Sequence, residues 1–156
     1  HCKNLNAHIT AVVSTKRIPQ AIQLGADDVI DYTKKDLSKI TSSYDVILYV
    51  NGDYPISIFH QLLSAKGRFV LVGSGNLNHI LYLSIFGKSL SKKYDKSYRV
   101  LMAKPNASDL RYVSEAVEQG KLIPVIDRQI DFSEIPYWIG ELETGPVGGK
   151  ILVELE

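Results

Sequence analysis

Ser14-Thr15-Lys16-Arg17 sets two hydroxyls and two cations side by side with no acid among them. Hydroxyls and a Lys or Arg hold a phosphate ester through charge-assisted hydrogen bonds, whereas a carboxylate repels it. The four residues close a β-branched run, HITAVVS at 8–14, that reads as a buried strand of parallel type. At the end of such a strand a dinucleotide-binding fold presents the group that reads the adenosine ribose. That group is an Asp or Glu for a free 2′-hydroxyl, and small or basic residues for a 2′-phosphate. The plainer alternative is that Ser14 and Thr15 only cap the next helix while Lys16 and Arg17 are solvated. Two further turns, Asn51-Gly52 and Gly73-Ser74-Gly75, follow strands at what should be the sheet's carboxyl edge, where ligands of open α/β sheets lie. Of these Gly73 is the strongest candidate, because backbone passing close to a ring tolerates no side chain; the alternative for each is an ordinary turn.

Other chemistries find no support. The histidines, His1, His8, His60 and His79, are widely spaced and Cys2 is the single cysteine, so no zinc or other metal site follows. His60, between Phe59 and Gln61 on a helix, reads as a surface or core-edge residue rather than a base. No Ser-His-Asp, Cys-His or paired-carboxylate set stands out, and no catalytic residue is assigned. The 18 Lys and Arg balance 17 Asp and Glu and are scattered, which argues against nucleic acid as a partner. The longest apolar stretch, at 80–87, is far short of the ~20 residues a membrane helix needs, so a soluble protein without a membrane partner is expected. One cysteine and no signal-peptide pattern point to a reducing cytoplasm. The first residue is His rather than Met, which leaves open a fragment of something longer.

The elements that must position these residues follow from 156 residues that are 45% apolar, enough for one full core without disulfides or metals. After the first strand, Pro19, Ala21, Ile22 and Leu24 make a short helix ended by Gly25. Val29-Ile30 is a brief strand, and the polar stretch 33–43 is expected to be a helix with its flanking loops. DVILYV at 45–50 is a strand, 55–65 a helix closed by Lys66-Gly67, and 68–72 a strand. The order strand, helix, strand, helix, strand, helix, strand is that of a doubly wound parallel sheet, hence an α/β fold. Residues 77–87 read as a buried or interfacial helix, 88–97 as a mobile Lys-rich connector, Tyr98 to Ala103 as a strand and 108–119 as an amphipathic helix. A strand-helix-strand tail follows from Pro124, with Ile135, Trp138, Ile139 and Leu142 on one helix face.

Four stretches together, HITAVVSTK at 8–16, LGADDVIDY at 24–32, GRFVLVGSG at 67–75, and GKLIPVIDRQIDFSEI with LETGPVGGKILVEL to the end, resemble the medium-chain dehydrogenase/reductases. The resemblance is to the quinone-oxidoreductase-like, zinc-type alcohol dehydrogenase branch, and it covers nearly the whole chain in order. It implies an incomplete Rossmann-type sheet: a full member has an N-terminal domain similar to the chaperonin GroES, then a first strand, a glycine-rich turn and a helix. No G-x-G-x-x-G occurs here, so the usual backbone anchor for a pyrophosphate is missing. Residues 1–120 would be the nucleotide-binding domain and 121–156 a segment that in relatives packs on the catalytic domain.

The resemblance implies NADP(H) as cofactor, with Ser14, Thr15, Lys16 and Arg17 on the 2′-phosphate side and Tyr32 at the adenosine phosphate end. Asn51, Gly52, Gly73 and Ser74 would run beside the ribose and nicotinamide. It implies direct hydride transfer to a quinone, enone or small carbonyl, with no zinc. It also implies a homodimer in which the Tyr98 to Ala103 edge strand pairs with its twin, a use that hides an exposed edge. This chain alone is expected to be inactive. The rival reading is a non-catalytic remnant or dimerisation module that binds nucleotide weakly or not at all. A weaker third is a domain for another adenosine ligand such as S-adenosylmethionine, which would favour an acid at position 14.

Overall fold

The computed structural model describes residues 2–50, 52, 54–73, 77–144 and 148–155. In chain order the elements are β1 (Thr10–Val13), α1 (Ile18–Gln23), β2 (Asp28–Asp31), β3 (Tyr44–Tyr49), α2 (Ile56–Leu62), β4 (Leu63–Val72), α3 (Leu77–Tyr94), β5 (Ser97–Leu101), α4 (Ala107–Glu118), β6 (Ile126–Asp131), α5 (Ile135–Thr144) and β7 (Lys150–Glu154). The described strands pair as β1-β2, β3-β4-β5 and β6-β7, in parallel throughout. Parallel neighbours require a crossover, and helices supply it, so the fold is α/β as expected. Two compact units result, His1–Asp31 with Pro105–Glu156, and Tyr32–Lys104.

In the first unit, Val13 lies opposite Asp31, so β1 and β2 end level. Pro19 sits in the first turn of α1, where its missing N–H costs no hydrogen bond. Lys3 Nζ meets the Asp27 carboxylate at 2.6 Å, and Asp27 also accepts the Ile9 amide at 2.8 Å, which fixes the chain leading into β1. Asn106 caps α4 by accepting the Asp109 amide at 2.8 Å. A capping box, Asp131 with Glu134, opens the turn leading into α5. Arg128 lies over the Trp138 ring at 3.9 Å, while Ile139 and Leu142 stay exposed.

The second unit holds the main core. Phe69 and Leu71 on the central strand β4 are fully buried, and Tyr49, Ile56, Phe59, Leu62, Leu63, Leu83 and Tyr98 close around them. The Tyr49, Phe59 and Phe69 rings form a tilted cluster with centroids 5.0 to 5.8 Å apart. Truncating such a ring to Ala costs about 3–5 kcal/mol. Gly87 lets α3 approach β5: a Cβ there would lie 3.2 Å from the Tyr98 carbonyl. Ser91 Oγ donates to the Gly87 carbonyl at 2.7 Å and accepts the Tyr98 amide at 3.0 Å. Lys96 Nζ donates to the His60 and Leu63 carbonyls at 2.5 and 2.7 Å, placing a cation at the C-terminus of α2.

Three expectations need correction. Residues 33–43 form no α-helix, only the 3-10 turn Leu37–Lys39, because Leu37 is the stretch's one buried side chain and Asp36 folds back to accept the Ser38 amide at 2.9 Å. The stretch 88–97 is no loose connector: α3 runs on to Tyr94, since Leu90 packs on the core and Ser91 ties the helix to β5. The helix expected at 55–65 stops at Leu62, and β4 begins at Leu63, which pairs with Tyr44 across an irregular register. Among the described residues no helix is long and apolar enough to cross a membrane.

Candidate functional site

The turn expected to read a phosphate sits at the carboxyl end of β1. Ser14 leaves the strand in extended conformation, residues Thr15–Arg17 make a 3-10 turn, and the Arg17 amide donates to the Ser14 carbonyl at 2.8 Å. Ser14 makes no side-chain capping bond, contrary to the plainer alternative for that residue. Thr15 donates its hydroxyl to Asp31 Oδ2, at the level end of β2. Asp31 is 9% exposed, a buried carboxylate that holds the turn from beneath. Lys16 is exposed.

Arg17 is drawn the other way. A side chain at Gly148 would collide with the Arg17 guanidinium and with Asp127 Oδ1. The Gly148 amide donates to Asp127 Oδ1 at 3.0 Å, and Gln20 donates its amide to the Gly148 carbonyl. Arg128 beside it, then the Gly148 amide and Arg17, hold the Asp127 carboxyl below the usual carboxylate range. Arg17 thus faces an acid of β6 and braces the turn, leaving Lys16 as the turn's outward cation. Tyr32 follows Asp31 in the chain and is 45% exposed.

In the second unit, β3 and β4 end nearly level, Tyr49 opposite Leu71. Gly73, one residue past β4, has φ +65° with open space where a Cβ would point. Gly52 has φ +153°, and a Cβ there would lie 2.9 Å from the Tyr49 hydroxyl, which accepts the Tyr54 amide at 3.0 Å. Asn51 and Ser74 lie outside the described residues. His79, in the first turn of α3, sets its ring edge-on to Tyr49 at 6.1 Å. His60 is a core-edge residue as expected: Nδ1 pairs with the Tyr98 hydroxyl at 2.5 Å and its ring stacks on Tyr94 at 4.5 Å.

The structure therefore gathers Ser14 to Arg17 with Asp31 in one unit, while Gly52 and Gly73 follow the ends of the neighbouring strands β3 and β4 in the other. Reading the residues alone missed Asp31, Asp127 and His79. Asp31 was accessible in principle, because pairing the two strands in parallel brings the ends of HITAVVS and DVID together.

A family model described as zinc-binding dehydrogenase matches residues 24–153. The chain belongs to that family. It is 29% identical, over 97% of its length, to 46% of the chloroplast envelope quinone oxidoreductase homolog of Arabidopsis thaliana. It is 28% identical, over 98% of its length, to 44% of the mitochondrial NAD(P)H oxidoreductase RTN4IP1 of Danio rerio. Among solved structures, the quinone oxidoreductase from Coxiella burnetii matches 99% of the chain and 47% of its own with a TM-score of 0.80 at 24% identity, a likeness of fold. The chain spans slightly less than half the length of these relatives. Among the described residues no three His, Cys, Asp or Glu side chains converge on a common point.

Proposed function

We propose that this chain is the cofactor-binding part of an NADPH-dependent oxidoreductase of the quinone, enone or carbonyl reductase kind. The observation that carries the reading is the Ser14 to Arg17 turn at the carboxyl end of β1, with its hydroxyls, an exposed Lys16 and no acid of its own. Lys16 and Ser14 would take the 2′-phosphate, Thr15 and the buried Asp31 would keep the turn's shape, and Tyr32 would flank the adenosine end. Gly73 leaves room for a ring at the end of β4, and Gly52 follows the end of β3. The cofactor, when bound, supplies a hydride to an activated C=C or C=O. Residues 1–120 carry nucleotide binding in this reading, and 121–156 offer the exposed Tyr137, Ile139 and Leu142 to a substrate-side domain.

The same reading includes a homodimer through the segment 98–103. Its support is that β5 is the outer strand of β3-β4-β5: α3 takes that edge at Tyr98 through Ser91 and Gly87, and pairing would cover the edge beyond it. The competing view, a remnant that does not bind nucleotide, draws on the lack of a G-x-G-x-x-G turn. Calorimetric titration with NADPH and NADH separates them. Micromolar NADPH binding that exceeds NADH, and that Lys16→Ala weakens about 10-fold or more, the worth of one hydrogen bond to a charged group, supports the enzyme reading. No binding of either up to millimolar concentration supports the remnant.

A further inference from the structure

The near-neutral total charge hides an uneven division of it. The unit Tyr32–Lys104 has 11 Lys and Arg against 4 Asp, whereas the other unit has 7 against 13 Asp and Glu. Helix α3 belongs to the basic unit, and its 18 residues include Lys88, Lys92 and Lys93 and no acid. One side of α3 turns to the core through Leu83, Gly87 and Leu90. The opposite side is exposed. Leu77, Leu81 and Ile85 are 59 to 70% exposed there, and the exposed Lys88 and Lys92 continue the same line, because steps of three and four residues stay on one face of a helix. Tyr82 and Phe86, with ring centroids 5.4 Å apart, and then Lys93 follow a second exposed line beside it. The exposed side thus runs from an apolar N-terminal half to a cationic C-terminal half.

We infer that this side of α3 lies on the surface of an anionic lipid bilayer. A helix of this kind buries its apolar side chains at the boundary between headgroups and acyl chains, while lysines on long apolar stems keep their ammonium groups among the headgroups. Among the described residues no helix is long and apolar enough to cross a membrane; a helix lying on a bilayer needs no such length. Charge complementarity selects an acidic headgroup, near which each lysine adds about 5-fold to binding. Two other occupants fit less well. Protein interfaces favour Arg and are poor in Lys, and the cations of α3 are all lysines. A nucleic-acid backbone would meet the lysines and leave the five apolar side chains in water.

The test is flotation of the chain with vesicles of phosphatidylcholine alone and of an equal mixture of phosphatidylcholine and phosphatidylglycerol, at low and high salt. The unaltered chain should bind the mixed vesicles about 10-fold or more above phosphatidylcholine alone, and high salt should release it. Replacing Lys88, Lys92 and Lys93 together by Gln should weaken binding on the order of 100-fold. Leu81→Gln with Ile85→Gln should weaken it about 10-fold or more. These positions are all exposed, and urea unfolding checks that both altered chains keep the fold; the lipid and salt dependence of the unaltered chain tests the proposal without any substitution. Equal binding to the two kinds of vesicle overturns it. So does binding that the Leu81 and Ile85 substitutions leave unchanged, since charge attraction alone would then account for it. A lipid-free oligomer, seen by light scattering, that those two substitutions dissociate also overturns it, because a second copy would then cover the stripe.

Discussion

Replacing Tyr98 with Phe removes one hydroxyl from the edge of the main core, and its effect should change sign with pH. Tyr98 is 5% exposed, and its hydroxyl lies 2.5 Å from His60 Nδ1. Burial first, then the neighbouring Tyr94 and Tyr82, push its phenol up to about 12. Near pH 8, Tyr98→Phe loses a hydrogen bond and leaves a half-buried imidazole nitrogen unpaired, a cost of about 1–2 kcal/mol. A tyrosine whose folded pKa lies above its unfolded value of about 10 contributes stability that is full below pH 10 and is lost as pH rises through 12. Two units at about 1.4 kcal/mol each set an upper limit near 3 kcal/mol, less whatever solvent screening removes. Urea unfolding of both chains at each pH from 8 to 12 isolates the effect, because every other titrating group is common to the pair. The unaltered chain should be the more stable at pH 8, and its advantage should vanish or reverse by pH 12. A difference that stays constant across the range would mean that the Tyr98 phenol is not held protonated by the fold.

His60 should titrate below its ordinary value, since burial and then Lys96 and Lys93 disfavour its cation; its contribution to stability is then full above about pH 6.5 and falls as pH drops through the folded value, and the NMR titration of its ring protons checks this. Gly52→Ala should destabilise the chain by about 1–3 kcal/mol, because its Cβ would press on the Tyr49 hydroxyl and disturb the bond from the Tyr54 amide. Gly73→Ala, with open space around it but φ +65°, should cost only about 1 kcal/mol of backbone strain in the same thermal-melt assay. The Tyr98 amide bonds Ser91 rather than β4, so by strand alternation the Val100 amide also points away from β4. Val100→Pro should therefore turn a dimer into a monomer in light scattering while the far-UV spectrum holds; a dimer that persists would move the interface elsewhere.

The strands were legible because buried parallel strands read as apolar runs, as in HITAVVS and DVILYV. Where local pattern and tertiary contact disagreed, contact prevailed. The Lys-rich second half of α3 is polar in sequence, and it is helical because Gly87 admits the Tyr98 backbone and Leu90 reaches the core. Helical spacing ran through Leu63 to Ala65, yet pairing with Tyr44 makes Leu63 the start of a strand. At the site, Ser14 to Arg17 could be found because the four residues are consecutive. The acid beneath Thr15 comes from another strand, and the one facing Arg17 lies on β6, far away in the chain. His79 carried no signal at all, since only the fold brings it beside Tyr49.

If the Ser14 to Arg17 turn reads a 2′-phosphate, amide chemical-shift mapping with 2′,5′-ADP and 5′-AMP will register it. 2′,5′-ADP should shift the amides of Ser14, Thr15, Lys16 and Arg17, 5′-AMP at the same concentration should shift them far less, and Lys16→Ala should erase the difference. Equal responses to the two nucleotides, or shifts confined to other parts of the chain, would contradict it.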